Sequence, residues 1–149
     1  MPNLIGSVFS SLAFLDPALP DRQTLRNGIA AGIEVITLDA ARDGVEQITV
    51  ALASRSNIKS IPIISHGHPA SLLLGAIYLN LTNLKSYGKQ LQRWLRSLAE
   101  SREILLYGCD VAAGEKGANF VQQLSQLTKA KIAASRSPIG SSAIIQAFA

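Results

Sequence analysis

The chain has 149 residues, 48% hydrophobic and 16% charged, with a formal net charge of +4. That length suits one domain with one proper core, and that balance excludes a disordered chain. The small, mostly scattered basic excess argues against nucleic acid as a partner, no run reaches the roughly 18 apolar residues of a membrane span, and a single cysteine excludes an intrachain disulfide.

The opening MPNLIGSVFSSLAFLD lacks a basic start, and Ser10-Ser11 interrupt its apolar run, so no secretory signal is expected. Leu12–Leu15, closed by Asp16-Pro17, is predicted as the first strand, and Thr24–Ile29 as a short helix ending near Gly28. Glu34–Leu38 (EVITL) is β-branched and apolar, hence a second strand. Asp43 can cap the next helix, with Glu46 reaching back to complete a capping box, and Val45, Ile48 and Leu52 give it one buried face through about Ala53.

Ile58–Ser65 is predicted as a third strand, apolar on both faces, although Pro62 removes a ladder donor within it. Ser71–Leu74 and Ile77–Leu79, split by Gly75-Ala76, suggest a hairpin. Thr82 is expected to cap a long helix with Leu84, Tyr87, Leu91, Leu95 and Leu98 inward. Ile104–Tyr107 is the fourth strand, Gly117–Thr128 a helix with Ala118, Val121, Leu124 and Leu127 on one side, and Lys131–Ala134 a fifth strand. This order implies an α/β fold: a three-layer α/β/α sandwich with a mostly parallel sheet, in a single domain spanning the chain.

Ligands of parallel sheets gather beyond the carboxyl ends of the strands. His66 follows one such end (IPIISHG) and Cys109 another (ILLYGCD). Neighbouring strands lie about 4.8 Å apart, so two side chains leaving adjacent strand ends can share a substrate atom. A histidine there can take the thiol's proton, and the thiolate is the reactive species. Gly67 and Gly108 leave room for a substrate backbone, and the Gly67 and Cys109 amides are candidates for an oxyanion hole. Ser65 can donate a hydrogen bond near His66, and Asp110 can orient it or pair with a basic substrate group; as a plain alternative, Asp110 is a turn residue. For Cys109 the plain alternative is a small buried hydrophobe.

SHG after one hydrophobic strand and a Cys after the next resemble the caspase-like superfamily, which includes the gingipain-like, separase-like and CHAT-type peptidases. The resemblance implies a helix-sandwiched parallel sheet and a Cys–His dyad that cleaves peptide bonds, with His66 as general base or orienter and Cys109 as nucleophile. More narrowly, DAARDGVEQI (Asp39–Ile48), IISHGHPASLLLG and LLYGCDVAAGEKGANFVQQLSQLTKAKIAAS resemble a bacterial domain of unknown function, DUF4347, over most of Phe14–Ser135. That resemblance implies an origin at the N-terminal end of very large cell-surface or secreted repeat proteins. Beyond Ser135, Arg136-Ser137-Pro138-Ile139-Gly140 replaces the family's acidic residues and Leu-Thr-Gly turn, so 136–149 is expected to be atypical, as in a truncated copy.

His68 forms an H-x-H with His66, and with Cys109 and Asp110 these make four possible ligands; the spacing fits no common zinc signature, so no metal is expected and His68 reads as an exposed loop residue. Lys85, Lys89, Arg93 and Arg96 draw a basic stripe on one helix, a solvated face or a contact for an anionic lipid or polymer. Gly114-Glu115-Lys116-Gly117 lacks the G-K-[ST] of a phosphate loop. The expected activity is cysteine peptidase chemistry on a polypeptide substrate or protein partner, without cofactor or nucleic acid. The alternative is a catalytically inactive binding or structural module.

Overall fold

The computed structural model describes residues 10–20, 22–29 and 33–134; the N-terminal signal expectation and the atypical 136–149 segment fall largely outside the described residues. In chain order the elements are β1 (Leu12–Leu15), α1 (Arg22–Ile29), β2 (Glu34–Thr37), α2 (Gly44–Ala53), β3 (Ile58–Ile64), β4 (Gly67–His68), β5 (Ser71–Leu74), β6 (Ile77–Asn80), α3 (Gly88–Arg93), β7 (Leu98–Tyr107), α4 (Gly114–Thr128) and β8 (Lys131–Ala134). Short 3-10 segments, Leu84–Tyr87 and Trp94–Ser97, flank α3.

Five strands form a parallel sheet in the order β2-β1-β3-β7-β8. Parallel neighbours need crossovers, and the helices supply them on both faces. The alternation of strand side chains divides the core in two. Leu12 and Phe14 of β1 enter the larger cluster with Val45 and Ile48 of α2 and Phe120 and Leu124 of α4. Ala13 and Leu15 enter the smaller one with Leu25 and Ile29 of α1. The fold is thus the expected three-layer α/β/α sandwich.

Pro62 is accommodated by the direction its missing donor faces. Ile64 O accepts from Asp16 N (2.9 Å), so in a period-two strand Pro62 also faces β1. The β1–β3 ladder is interrupted there, running from an isolated Ser11↔Ser60 bridge to Phe14↔Ile63, whereas pairing with β7 is continuous from Ser60↔Glu103 to Ile64↔Tyr107.

Several expectations are corrected. Glu34–Thr37 stops one residue short of Leu38, β3 stops at Ile64, and His68 belongs to a strand, β4, that joins β5 and β6 in a three-stranded antiparallel sheet. The long helix after Thr82 is broken, with Asn83 rather than Thr82 at its N-cap position. From Trp94 the chain turns with three residues per turn, which carries Trp94 and Ser97 inward, leaves Leu95 exposed and lets Leu98 open β7. Strand β7 begins earlier than expected because two steps along β3 oppose five along β7, a bulge that absorbs the polar Glu100, Ser101 and Arg102. In α4 the buried residues are Gly117, Phe120, Leu124 and Thr128, and Ala118 is exposed. Burying the phenyl ring of Phe120 removes far more apolar surface from water than burying Ala118 would.

Asp43 caps α2 as expected: its Oδ1 accepts from Val45 N (2.9 Å) and Glu46 N (3.3 Å). Glu46, instead of closing a capping box, stands 3.9 Å from Arg42. The second Asp43 oxygen, Oδ2, accepts the Tyr87 hydroxyl at 2.6 Å, pinning the 3-10 segment to the α2 cap. Burial and then this bond push the Tyr87 phenol up from 10.0 to about 12. Below pH 10 the phenol is protonated in both folded and unfolded chains. Between pH 10 and 12 only the unfolded chain sheds its proton, so stability falls as pH rises through that window. Urea denaturation of the wild type is therefore expected to show a falling midpoint across this range, with a shallower fall in Tyr87→Phe.

Candidate functional site

The chain passes from β1 to β2 on one side of the sheet and then crosses back to lay β3 on the other, so strand order reverses between β1 and β3. Such a reversal opens a crevice beyond the carboxyl ends of the strands. The loop after β3 carries Ser65 and His66, and the loop after β7 carries Gly108, Cys109 and Asp110. Ile64 pairs with Tyr107, and His66 and Cys109 each follow that pair by two residues, in register on adjacent strands.

The two loops meet backbone to backbone. A Cβ on Gly67 would lie 2.8 Å from Cys109 O and 2.4 Å from Val111 Cγ2. One on Gly108 would lie 2.9 Å from Leu72 Cδ1 and 3.5 Å from Gly67 Cα. The room that both glycines leave, read from sequence as clearance for a substrate, is taken up by the chain itself. Ala70 N donates to Val111 O (3.0 Å), tying the loops together a second time.

Within this frame His66 is exposed and Cys109 half-exposed. His66 Nε2 stands 3.3 Å from Ala18 O, in the loop after β1. A carbonyl oxygen can only accept, so Nε2 carries the proton and the neutral ring's lone pair falls on Nδ1. Among the described residues the His66 ring makes no hydrogen bond to Cys109 and no hydrogen bond or ion pair to Asp110, so the Ala18 carbonyl, not Asp110, orients it. Asp110 is half-buried at φ 59°, its carbonyl accepting from Ala113 N at 2.9 Å, as its turn reading requires. Ser65 is 4% exposed, and its hydroxyl donates to the His66 main-chain carbonyl (3.2 Å) rather than to the ring.

Leu73 N donates to His66 O (3.0 Å), which makes Gly67–Leu72 the non-bonded pair of the β4–β5 ladder. The Gly67 N–H is therefore directed away from β5. His68 is exposed on the other face, its ring 6.0 Å from that of Tyr78. Among the described residues no three His, Cys, Asp or Glu side chains converge as a metal site would need, and no helix is long and apolar enough to cross a membrane. The residues of the basic stripe, Lys85, Lys89, Arg93 and Arg96, are all exposed, and Arg93 and Arg96 border a groove of about 320 Å³ against Val50 and Ala53.

One rim residue escaped the sequence reading. Asp16, taken there as the closing turn of β1, is 1% exposed, and its carboxylate accepts from Ala18 N (3.0 Å) and Gly75 N (2.8 Å). The only sequence signal is an acid between an apolar strand and a proline, which any turn shares.

The model of the family described as "Domain of unknown function (DUF4347)" matches residues 12–146. The chain belongs to this family. The DUF4347 match contains every strand among the described residues, both rim loops and all six predicted site residues, Ser65, His66, Gly67, Gly108, Cys109 and Asp110. No curated protein matches the chain. A solved structure described as "Crystal structure of a small-chain dehydrogenase" is similar in fold, with a TM-score of 0.50 and 11% identity over 93% of this chain and 87% of that one.

Because the rim of this DUF4347 domain closes through two glycines, Gly67→Ala forces a carbon against the Cys109 carbonyl and the Val111 methyl. A loss of about 1–3 kcal/mol in urea denaturation is expected. The alanine variant should also expose Cys109 further, measured as faster reaction with a disulfide reagent under native conditions.

Proposed function

We propose that this DUF4347 domain is a cysteine peptidase of the caspase-like kind, with Cys109 as nucleophile, His66 as general base and a polypeptide as substrate. The observation that carries the reading is the pair of in-register loops in backbone contact, one presenting a half-exposed thiol and the other an exposed imidazole. The tautomer supports it: with Nε2–H engaged by Ala18 O, Nδ1 is the nitrogen able to accept a proton.

In the proposed reaction Nδ1 takes the Cys109 proton as Sγ attacks the scissile carbonyl carbon. The N–H groups of Gly67 and Cys109 receive the oxyanion. Collapse breaks the C–N bond, and Nδ1 returns its proton to the departing amine. Water then attacks the thioester, giving one proton to Nδ1, and the thiol is restored as the acid leaves. No metal or organic cofactor takes part. The fold likeness to the dehydrogenase is not carried into chemistry, since the turn after β1, Asp16-Pro17-Ala18-Leu19-Pro20, holds no glycine to let a pyrophosphate approach.

A binding module without turnover is the second reading, favoured by the His66 ring being held toward Ala18 instead of bonded to sulfur. Incubation of the full chain with an unstructured protein mixture is expected to yield new termini by mass spectrometry, absent with Cys109→Ala. Iodoacetamide should label Cys109 about tenfold more slowly in His66→Ala near neutral pH. No cleavage, together with equal labelling of wild type and His66→Ala, would establish the binding module instead.

A further inference from the structure

We propose that Asp16 is the positioning residue of this site, setting the His66 ring through the Ala18 carbonyl; the inference rests on the peptidase reading above. Asp16 ends β1 beside the strand-order reversal, where its own N–H is paired with Ile64 O at 2.9 Å. Its carboxylate is 1% exposed and, among the described residues, no lysine, arginine or histidine forms an ion pair with it. Burying a carboxylate against neutral groups alone is costly, and two backbone amides offset that cost here.

Those two amides come from different parts of the rim. Oδ2 accepts Ala18 N (3.0 Å), which fixes the peptide whose neighbouring carbonyl meets His66 Nε2 at 3.3 Å. Oδ1 accepts Gly75 N (2.8 Å), from the β5–β6 turn of the small sheet whose first strand begins directly after His66. One side chain thus holds both the partner of the imidazole and the sheet that carries it. The residue type follows from the bonding: a carboxylate accepts on both oxygens at once, whereas an asparagine has one acceptor and would turn an NH2 toward the second amide. The loop is braced from outside as well, with Arg22 Nη1 donating to Pro17 O at 2.9 Å. Asp16 touches no reacting atom in this scheme; its effect passes through Ala18 and His66.

The test is alkylation of Cys109 by iodoacetamide in the full chain, followed by mass spectrometry from acid to alkaline pH. The proteins are wild type, His66→Ala, Asp16→Asn and the Asp16→Asn/His66→Ala double variant. Asp16→Asn is expected to slow labelling near neutral pH about tenfold, to give a pH–rate profile like that of His66→Ala, and to add nothing further in the double variant. Ser97→Ala, a buried change far from the rim, should lower the denaturation midpoint without altering the labelling rate. Should Asp16→Asn fail to fold, Asp16→Glu keeps the charge but displaces both oxygens from the Ala18 and Gly75 amides and gives the same comparison. Labelling at the wild-type rate in the Asp16 variant, or slowing that is equal with and without His66, overturns the inference while leaving the peptidase reading intact. Equal labelling of wild type and His66→Ala overturns both.

Discussion

Where the loops after β3 and β7 touch, hydrogen atoms on Gly67 and Gly108 stand in the place of side chains, and a single added carbon would fall inside van der Waals distance of Cys109 O or Leu72 Cδ1. The rest of the rim hangs on that contact. The β3–β7 ladder delivers both loops in register at Ile64↔Tyr107, and the close approach then denies them separate movement. The spacing of His66 from Cys109 is therefore set by main chain packed on main chain, not by a side-chain bond between them. That arrangement brings the loop of the thiol and the loop of the imidazole together through their backbones.

The strands were legible because burial on both faces demands continuous apolar runs, as in LAFL and IPII, and because EVIT at the sheet edge is β-branched. What failed to show was geometry that composition does not encode. Nothing in WLRS announces a change from 3.6 to three residues per turn, yet that change alone decides that Trp94 is buried and Leu95 is not. Likewise Leu98–Arg102 carries charge on a strand because it bulges away from β3, and a bulge depends on the partner's register rather than on local propensity.

At the site the same division holds. His66 and Cys109 stood out because chemically potent side chains follow apolar strands at the edge where parallel sheets bind ligands. Ala18 was invisible: its contribution is a carbonyl that every residue possesses, and only the fold brings it to Nε2. Asp16 was misread for a related reason. Asp-Pro after a strand is ordinary turn chemistry, and the bond to Gly75 spans 59 residues of sequence.

The small antiparallel sheet completes the physical picture of the rim. Its inner face, Leu72, Leu74 and Leu79, is sunk into the larger core, so the loop bearing His66 is anchored by burial rather than left as a flap. Its β6 edge is closed by one side chain: Asn83 Nδ2 donates to Tyr78 O at 2.7 Å, and Asn83 Oδ1 accepts from Asn80 N at 2.9 Å, the pattern a further strand would make. Extended chain is thus turned away from β6, while β4, the opposite edge, directs the Gly67 N–H away from β5 beside the Cys109 loop. The two edges of the small sheet are therefore occupied differently, β6 by the Asn83 side chain and β4 by the Cys109 loop, whose Val111 carbonyl accepts from Ala70 N.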